Sequence, residues 1–280
     1  VAVPDIRVDQ LAVLTHSAKK VYTALEFVDI AGLVKGAASG EGLGNKFLAN
    51  IREADAIVYV LRAFNNGNVV NTQTSVDILR DKEILDTELI LKDLETLQKR
   101  LGALERESKS GKKEALKELE VAKKVQGLLS AGQILSEMDF SVEEKMILKT
   151  LCLLTMKKRL YLINGVEDDF SSEIQNVFNQ NNWPYVVIDI LTELEAADWN
   201  EEERINFGLK AQSGLESLIQ KAYEALDLIT FLTTGPDETR AWTLKRQQKA
   251  PQAGGVIHSD FEEAFIKAEV INWQDLLKVC

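Results

Sequence analysis

The sequence predicts an α/β fold in which a mainly parallel β-sheet carries an inserted antiparallel helical hairpin and precedes a small β-rich module. Three observations predict this fold: strand and helix patterns alternate in both halves of the chain, heptad-like spacing separates the halves, and short strand patterns follow them. We predict one domain from residues 1–80 and 151–228, the helical insertion at 81–150, and the C-terminal module at 229–280.

The first half of the chain alternates strand, helix and strand. β-Branched and aromatic residues at 21–29 predict a strand that ends on Asp29. Helical spacing of apolar residues predicts an amphipathic helix at 42–55, and the nearly continuous apolar run at 56–64 predicts a strand covered on both faces. This order favours parallel strands joined by a crossover helix.

The middle of the chain is helical. Apolar residues recur at alternating spacings of four and three residues, which is typical of a coiled-coil seam. A break at 108–113 separates this pattern from a second helical pattern at 114–132, and together they predict an antiparallel hairpin. The predicted seam consists of Ile90, Leu94, Leu97, Leu101 and Leu104 on the first helix and of Leu116, Leu119, Ala122 and Leu129 on the second.

Strand and helix patterns return after the hairpin. Strands are predicted at 158–165 and 185–190, and helices at 171–180 and 213–228. The C-terminal module contains short strand patterns and one predicted helix at 259–268.

Composition restricts the possible classes of protein. The 280 residues are 45% hydrophobic and 28% charged, as in ordinary globular proteins, and there is neither a long apolar run nor a secretory signal pattern. We therefore expect a cytoplasmic protein that makes no membrane contact. The net charge of −11 disfavours sequence-blind nucleic-acid binding. The acidic run from Glu193 to Glu203 is interpreted as a solvated face without a function.

A first candidate site lies where the predicted strand 21–29 ends. Asp29 and Gly32 form a D-x-x-G motif, followed by a glycine-rich stretch. In P-loop nucleotide hydrolases, an Asp at such a strand end holds Mg2+, and the Gly brings its backbone N–H to the γ-phosphate. Leu33 follows, where GTPases commonly keep a Gln that orients the attacking water, so we expect slow hydrolysis.

A second candidate site follows the predicted strand 158–165. Asn164, Gly165, Val166 and Glu167 form N-x-x-E, where GTPases of this architecture have N-K-x-D. In that motif the Asp accepts two hydrogen bonds from guanine, and the Lys stem covers the base. Because Glu167 is one methylene longer than Asp and Gly165 replaces the Lys, the motif weakens the argument for guanine.

The stretch from Glu26 to Ile57, EFVDIAGLVKGAASGEGLGNKFLANIREADAI, closely resembles the switch II region of the YchF family of Obg-like P-loop ATPases. The hairpin insertion, N-x-x-E, and the RAWT segment at 240–243 within a TGS-like C-terminal module also resemble this family. The resemblance implies an ATP-binding, slowly hydrolysing protein that uses Mg2+ and associates with the ribosome, either the large subunit or the whole particle. It also implies that Asp29 binds the metal, that Gly32 contacts the γ-phosphate, and that Asn164, Gly165, Val166 and Glu167 line the adenine site.

The sequence departs from the family pattern in several places. It contains no G-x-x-x-x-G-K-(S/T) motif, and the TGS resemblance stops before the family's pattern ends. We therefore expect an internal fragment that by itself neither binds ATP tightly nor turns it over. Tyr59 stands where relatives often have His, and the sequence at 189–193 matches poorly the small-residue loop that contacts the base.

Two alternatives remain open at this stage: a GTP-specific Obg-type GTPase, and a non-catalytic module that binds the ribosome or RNA. Basic residues beside an aromatic one suit RNA. The candidate RNA contacts are Lys109, Lys112 and Lys113 at the hairpin tip and Arg240, Lys245, Arg246 and Lys249 in the C-terminal module.

Overall fold

A computed structural model of the protein describes residues 1–29, 53–64, 76–109 and 112–279. The strands are β1 (Lys20–Val21), β2 (Ala56–Arg62), β3 (Lys158–Asn164), β4 (Tyr185–Ile188), β5 (Leu228–Thr234) and β6 (Thr239–Lys245). The α-helices are α1 (Ile6–Leu14), α2 (Ile78–Ser108), α3 (Lys113–Ser130), α4 (Val142–Leu151), α5 (Ser172–Gln180), α6 (Ile190–Glu195), α7 (Glu201–Asn206), α8 (Gly214–Ala225), α9 (Ala250–Ile257), α10 (Ser259–Glu263) and α11 (Trp273–Val279).

Contacts within the chain divide it into two compact units. The central unit is Val28–Ile190, and the terminal unit combines Val1–Phe27 with Leu191–Cys280. The domain division predicted from sequence stays a prediction. Within the described ranges, the structure contains no helix that is both long and apolar enough to cross a bilayer.

The central unit contains the predicted parallel sheet, in the order β2-β3-β4. This arrangement confirms the predicted α/β class. β3 lies between the other two strands and is covered on both faces, so that Leu160 to Ile163 are all buried. The prediction that β2 is covered on both faces is wrong, because Ile57, Tyr59 and Leu61 are buried whereas Val60 is 58% exposed.

The helical hairpin is formed by α2 and α3. Four of the five predicted seam residues of α2 are buried, and Leu94 packs beside them. On α3 the prediction for Leu116 is wrong: its side chain is 44% exposed, and Ala115 and Val125 are buried instead. The seam of α3 is shifted because α4 also packs against this helix; its Leu148 and Leu151 join the same apolar cluster.

A buried ionic cluster joins the base of the hairpin to the sheet. Asp86 on α2 accepts hydrogen bonds from Tyr59 Oη on β2 at 2.9 Å, Lys82 Nζ at 2.6 Å and Arg159 Nη1 on β3 at 2.7 Å. All four side chains are buried. Burial raises the pKa of Tyr59, and the neighbouring Asp86 raises it further. The cluster therefore fixes α2 against two adjacent strands.

Two further groups extend this cluster. Arg159 Nη2 also pairs with Glu137, whose Oε1 accepts a hydrogen bond from Trp183 Nε1 at 2.9 Å. The Lys82 ammonium lies 3.7 Å from the centre of the Trp183 ring, within the range of a cation–π contact. Burial opposes the charge of Arg159, yet its pKa is raised because Tyr161, Asp86 and Glu137 surround it.

The terminal unit is built on the sheet β1-β6-β5. The strand predicted at 21–29 is wrong: β1 covers only Lys20–Val21 and pairs in parallel with β6. Beyond it, Leu25 N donates to Val1 O at 2.9 Å, and an isolated bridge joins Ala2 to Ala24. This segment thus pairs only briefly with the chain's first residues, since strand formation depends on packing and pairing context as well as on composition.

The C-terminal segment is more helical than the sequence predicts. The helix predicted at 259–268 ends at Glu263, and α9 precedes it. The sequence pattern does not predict α9 because Gly254 and Gly255 have low helix propensity. They are needed there: a Cβ on Gly254 would lie 3.0 Å from Phe261 O, and one on Gly255 would lie against the side chain of Glu262.

Candidate functional site

The candidate site lies at the carboxyl edge of the central sheet. The register pairs Arg62, the last residue of β2, with Asn164, the last residue of β3. Asn164 in turn pairs with Ile188, the last residue of β4. In open α/β sheets, ligands bind beyond the carboxyl ends of parallel strands. The predicted N-x-x-E segment therefore begins at the middle strand of the edge that ligands use in such folds.

Asn164 connects the segments that follow its two neighbouring strands. Its backbone carbonyl accepts a hydrogen bond from Ala63 N at 2.9 Å. Its side-chain Oδ1 accepts one from Ile190 N, at the start of α6, at 3.2 Å. The next residue, Gly165, donates its N–H to Ile188 O at 3.0 Å. This is the bridging geometry expected of the Asn in a base-recognition loop.

Gly165 occupies a narrow position in the loop. A Cβ there would lie 2.9 Å from Asp169 Oδ2 and 3.1 Å from the Cβ of Ala63, so that both neighbours would have to shift. The narrow space therefore disfavours a lysine stem at this position.

The loop after Gly165 is held by hydrogen bonds and by a buried side chain. Val166 N donates to Asp169 Oδ2 at 3.1 Å, and Phe170 N donates to Glu167 O at 3.1 Å, closing a 3-10 turn at Glu167–Asp169. Phe170 is 1% exposed and anchors the turn in the core. Val166 and Glu167 are exposed at this edge of the sheet.

Asp169 contributes to the site and was not predicted from the sequence. Its carboxylate binds the backbone of Val166 and narrows the space beside Gly165. A capping pattern was the only available signal, since an Asp three residues after Val166 can bind that backbone N–H.

The structure brings only part of the predicted site together. Asn164, Gly165, Val166 and Glu167 share one loop, whereas Asp29 is exposed beyond the assigned strands. Gly32 and Leu33, like the helix predicted at 42–55, lie outside the described residues. The proposed metal and phosphate contacts therefore stay predictions.

The predicted basic contacts differ in their surroundings. Lys109, Lys112 and Lys113 are all exposed at the end of the hairpin. In the C-terminal module, Arg240 lies 3.6 Å from Glu238, and Arg246 lies 3.1 Å from Asp227. These acidic partners reduce the excess positive charge of the C-terminal stretch. The guanidinium of Arg240 also lies 4.4 Å from the centre of the Trp242 ring.

Comparisons with known proteins agree with the fold. Residues 7–93 match a family model described as "50S ribosome-binding GTPase". Residues 228–280 match the model YchF-GTPase_C, described as "Protein of unknown function (DUF933)". The solved structure titled "Structure of the Schizosaccharomyces pombe YchF GTPase" superposes with a TM-score of 0.83 and 36% identity, covering 99% of this chain and 78% of that one. The fold and these matches thus define a nucleotide hydrolase of the P-loop class.

Curated relatives identify the family. The protein named "Ribosome-binding ATPase YchF" of Bacillus subtilis is 40% identical over 99% of this chain and 79% of its own length. The proteins of the same name from Escherichia coli O157:H7 and Mycoplasma genitalium are 39% and 42% identical, each over 99% of this chain and 78% of their own length. The chain belongs to the YchF family, which confirms the resemblance found in its sequence.

Proposed function

We propose that this protein binds ATP with Mg2+, hydrolyses it slowly, and associates with the ribosome. The observation that carries the nucleotide preference is the narrow space beside Gly165, which disfavours the lysine stem that covers the base in GTPases. The longer side chain of Glu167 supports the same preference. The relatives named ribosome-binding ATPases support both activities.

The proposed roles of the site residues follow from this reading. Asn164 bridges the loops at the sheet edge, and Gly165, Val166 and Glu167 line the adenine base. Asp29 binds the metal ion, and Gly32 contacts the γ-phosphate through its backbone. Leu33 has no group that can orient water, so the intrinsic rate is low.

Glu167→Asp tests the base assignment in the intact protein expressed from its own gene. The shorter side chain draws the carboxylate back to where guanine can donate two hydrogen bonds. We expect GTP affinity to rise about tenfold, equal to about 1.4 kcal/mol, while ATP affinity changes little, because adenine offers that carboxylate no equivalent donors. The measurement is a competition titration of ATP and GTP against one fluorescent nucleotide analogue.

The matched control is Glu173→Asp, the same chemical change at an exposed position on α5. It should leave the affinity ratio unchanged. An unchanged ratio in Glu167→Asp would remove Glu167 from the base site. If GTP outcompetes ATP in the unaltered protein, the Obg-type GTPase alternative is correct instead.

The hairpin tip is the proposed ribosomal RNA contact. Exposed lysines that approach phosphates release counterions, which makes binding depend steeply on salt. Changing Lys109, Lys112 and Lys113 together to Glu should abolish cosedimentation with purified ribosomes at physiological salt. If each lysine contacts one phosphate, the slope of the logarithm of the binding constant against the logarithm of the salt concentration should fall in magnitude by about 2–3.

A triple charge reversal elsewhere controls for net charge. Lys221, Lys267 and Lys278 are exposed in the terminal unit, and each pairs with a nearby acid. Their change to Glu should leave most of the ribosome binding intact. Equal loss in both triple variants would mean that overall charge, and not the hairpin tip, governs the association.

A further inference from the structure

Large apolar side chains are exposed within and on both sides of the acidic run that the sequence left without a function. Leu191 and Leu194 on α6 are 66% and 71% exposed, and Ile205 and Phe207 at the end of α7 are 58% and 73% exposed. We call residues 191–207 the α6–α7 surface. Exposed apolar side chains gathered in one short segment indicate an interaction site more strongly than scattered ones do.

The α6–α7 surface is held together by its own contacts. Arg204, 4% exposed, pairs with Glu193 Oε1 at 2.8 Å and donates from Nε to Lys210 O at 3.0 Å. Ala196, which lies between α6 and α7 in the sequence, is buried. The centres of the Trp199 and Phe207 rings lie 4.5 Å apart. The apolar side chains are therefore presented by a connected pair of helices.

The charge of this surface determines which partner fits it. Arg204 is the only basic residue between positions 191 and 207, and its charge is already paired with Glu193. The other acidic side chains alternate along the segment with the apolar ones and are exposed. They are Glu195, Asp198, Glu201, Glu202 and Glu203.

We infer that the α6–α7 surface is a docking site for a basic, amphipathic protein segment. Apolar side chains of such a segment would cover Leu194, Ile205 and Phe207, while its lysines and arginines would meet the surrounding carboxylates. RNA and anionic lipid surfaces are repelled by the same carboxylates. A second copy of the chain would place acid against acid across a two-fold interface.

The inference does not depend on nucleotide binding, so its test can fail independently of the proposed function. The probe is a fluorescein-labelled amphipathic helical peptide made only of leucine and lysine, titrated against this chain by fluorescence anisotropy at two salt concentrations. We expect Ile205→Ser with Phe207→Ser to weaken binding at least about tenfold, because truncating buried aromatic anchors removes most of an interface's affinity. Glu201→Gln with Glu202→Gln should weaken binding and reduce its salt dependence.

Two controls separate this site from unspecific attraction. Val142→Ser with Met146→Ser removes apolar side chains that are 77% and 69% exposed in the central unit, and it should leave the affinity unchanged. A lysine–serine peptide of equal charge should bind at least about tenfold more weakly, since it lacks anchors. Circular dichroism confirms that each variant remains folded.

The inference is overturned by any of four results. Equal affinity of the Ile205→Ser/Phe207→Ser variant would show that the surface is not used, and equal binding of the lysine–serine peptide would show charge attraction alone. Direct binding of a labelled RNA oligonucleotide to the chain, weakened by Ile205→Ser with Phe207→Ser, would indicate a nucleic-acid surface. Self-association of the chain that competes with the peptide would indicate a second copy as the occupant.

Discussion

Replacing Asp86 by alanine is expected to lower the free energy of unfolding by about 3–5 kcal/mol, because Lys82 and Arg159 would be left as buried charges without this partner. Asp86 accepts hydrogen bonds from both and from Tyr59, at 2.6 to 2.9 Å. Each kcal/mol corresponds to about 2–4 °C in the melting temperature of a protein of this size class. Chemical denaturation followed by circular dichroism measures the loss.

The control removes a carboxylate from an exposed ion pair. Glu143 lies 3.2 Å from Lys117, and both side chains are largely exposed. Exposed pairs contribute at most about 1 kcal/mol, so Glu143→Ala should change stability little. If the Asp86 and Glu143 variants differ by less than about 1 kcal/mol, the buried cluster does not stabilise the central unit as its geometry indicates.

The position of Asp86 links stability to the arrangement of the hairpin. α2 carries the hairpin, and Asp93, further along the same helix, accepts hydrogen bonds from Leu154 N and Thr155 N, both at 2.8 Å. Those residues immediately precede β3, the strand that ends in the candidate base site. The base of the hairpin is thus bonded to the strand that carries the site, so loosening α2 should also loosen the start of β3.

The fold could be predicted from the sequence where a periodic pattern coincides with burial. The seam residues Leu97 and Leu104 recur with helical spacing, and both are fully buried. The segment at 21–29 has strand composition, but among the described residues it pairs only at Val21 with β6 and briefly with the first residues of the chain. Composition alone therefore gave the wrong element. α9 is the opposite case, in which close packing of Gly254 against α10 overrides poor helix propensity.

The ionic cluster could not have been predicted by the same reasoning. Lys82 and Asp86 have the spacing of an ordinary exposed helical pair, and Arg159 is far away in sequence. Only the folded chain brings these three side chains together at a buried position. The candidate site shows the same limit: Asn164 and Gly165 were located from their motif, whereas the narrow space beside Gly165 depends on Ala63.

Phe178→Ala is the second change expected to have a large effect. Phe178 is fully buried on α5, and its ring lies 5.3 Å from Tyr161, 5.4 Å from Phe170, 5.3 Å from Trp183 and 5.7 Å from Tyr185, centre to centre. Truncating a buried phenylalanine costs about 3–5 kcal/mol through lost burial and the remaining cavity. The loss is measured by chemical denaturation.

The same substitution at an exposed position gives the matched control. Phe207 is 73% exposed and its ring contacts that of Trp199, so Phe207→Ala should lower the free energy of unfolding by at most about 1.5 kcal/mol. Similar stabilities of the two variants would contradict the assignment of Phe178 to a closely packed core.

The effect of Phe178→Ala should extend to the candidate site. Phe170, which anchors the turn after Val166, packs directly on the Phe178 ring. Once that support is lost, hydrogen exchange should accelerate at Gly165 and Val166 more than in α3, which belongs to the separate apolar cluster of the hairpin. Uniform acceleration throughout the central unit would mean that the core stabilises the fold as a whole without specifically fixing the loop. Preferential acceleration would show that the aromatic core holds the loop in place, so that the proposed discrimination between bases would depend on packing beneath the loop as well as on Glu167.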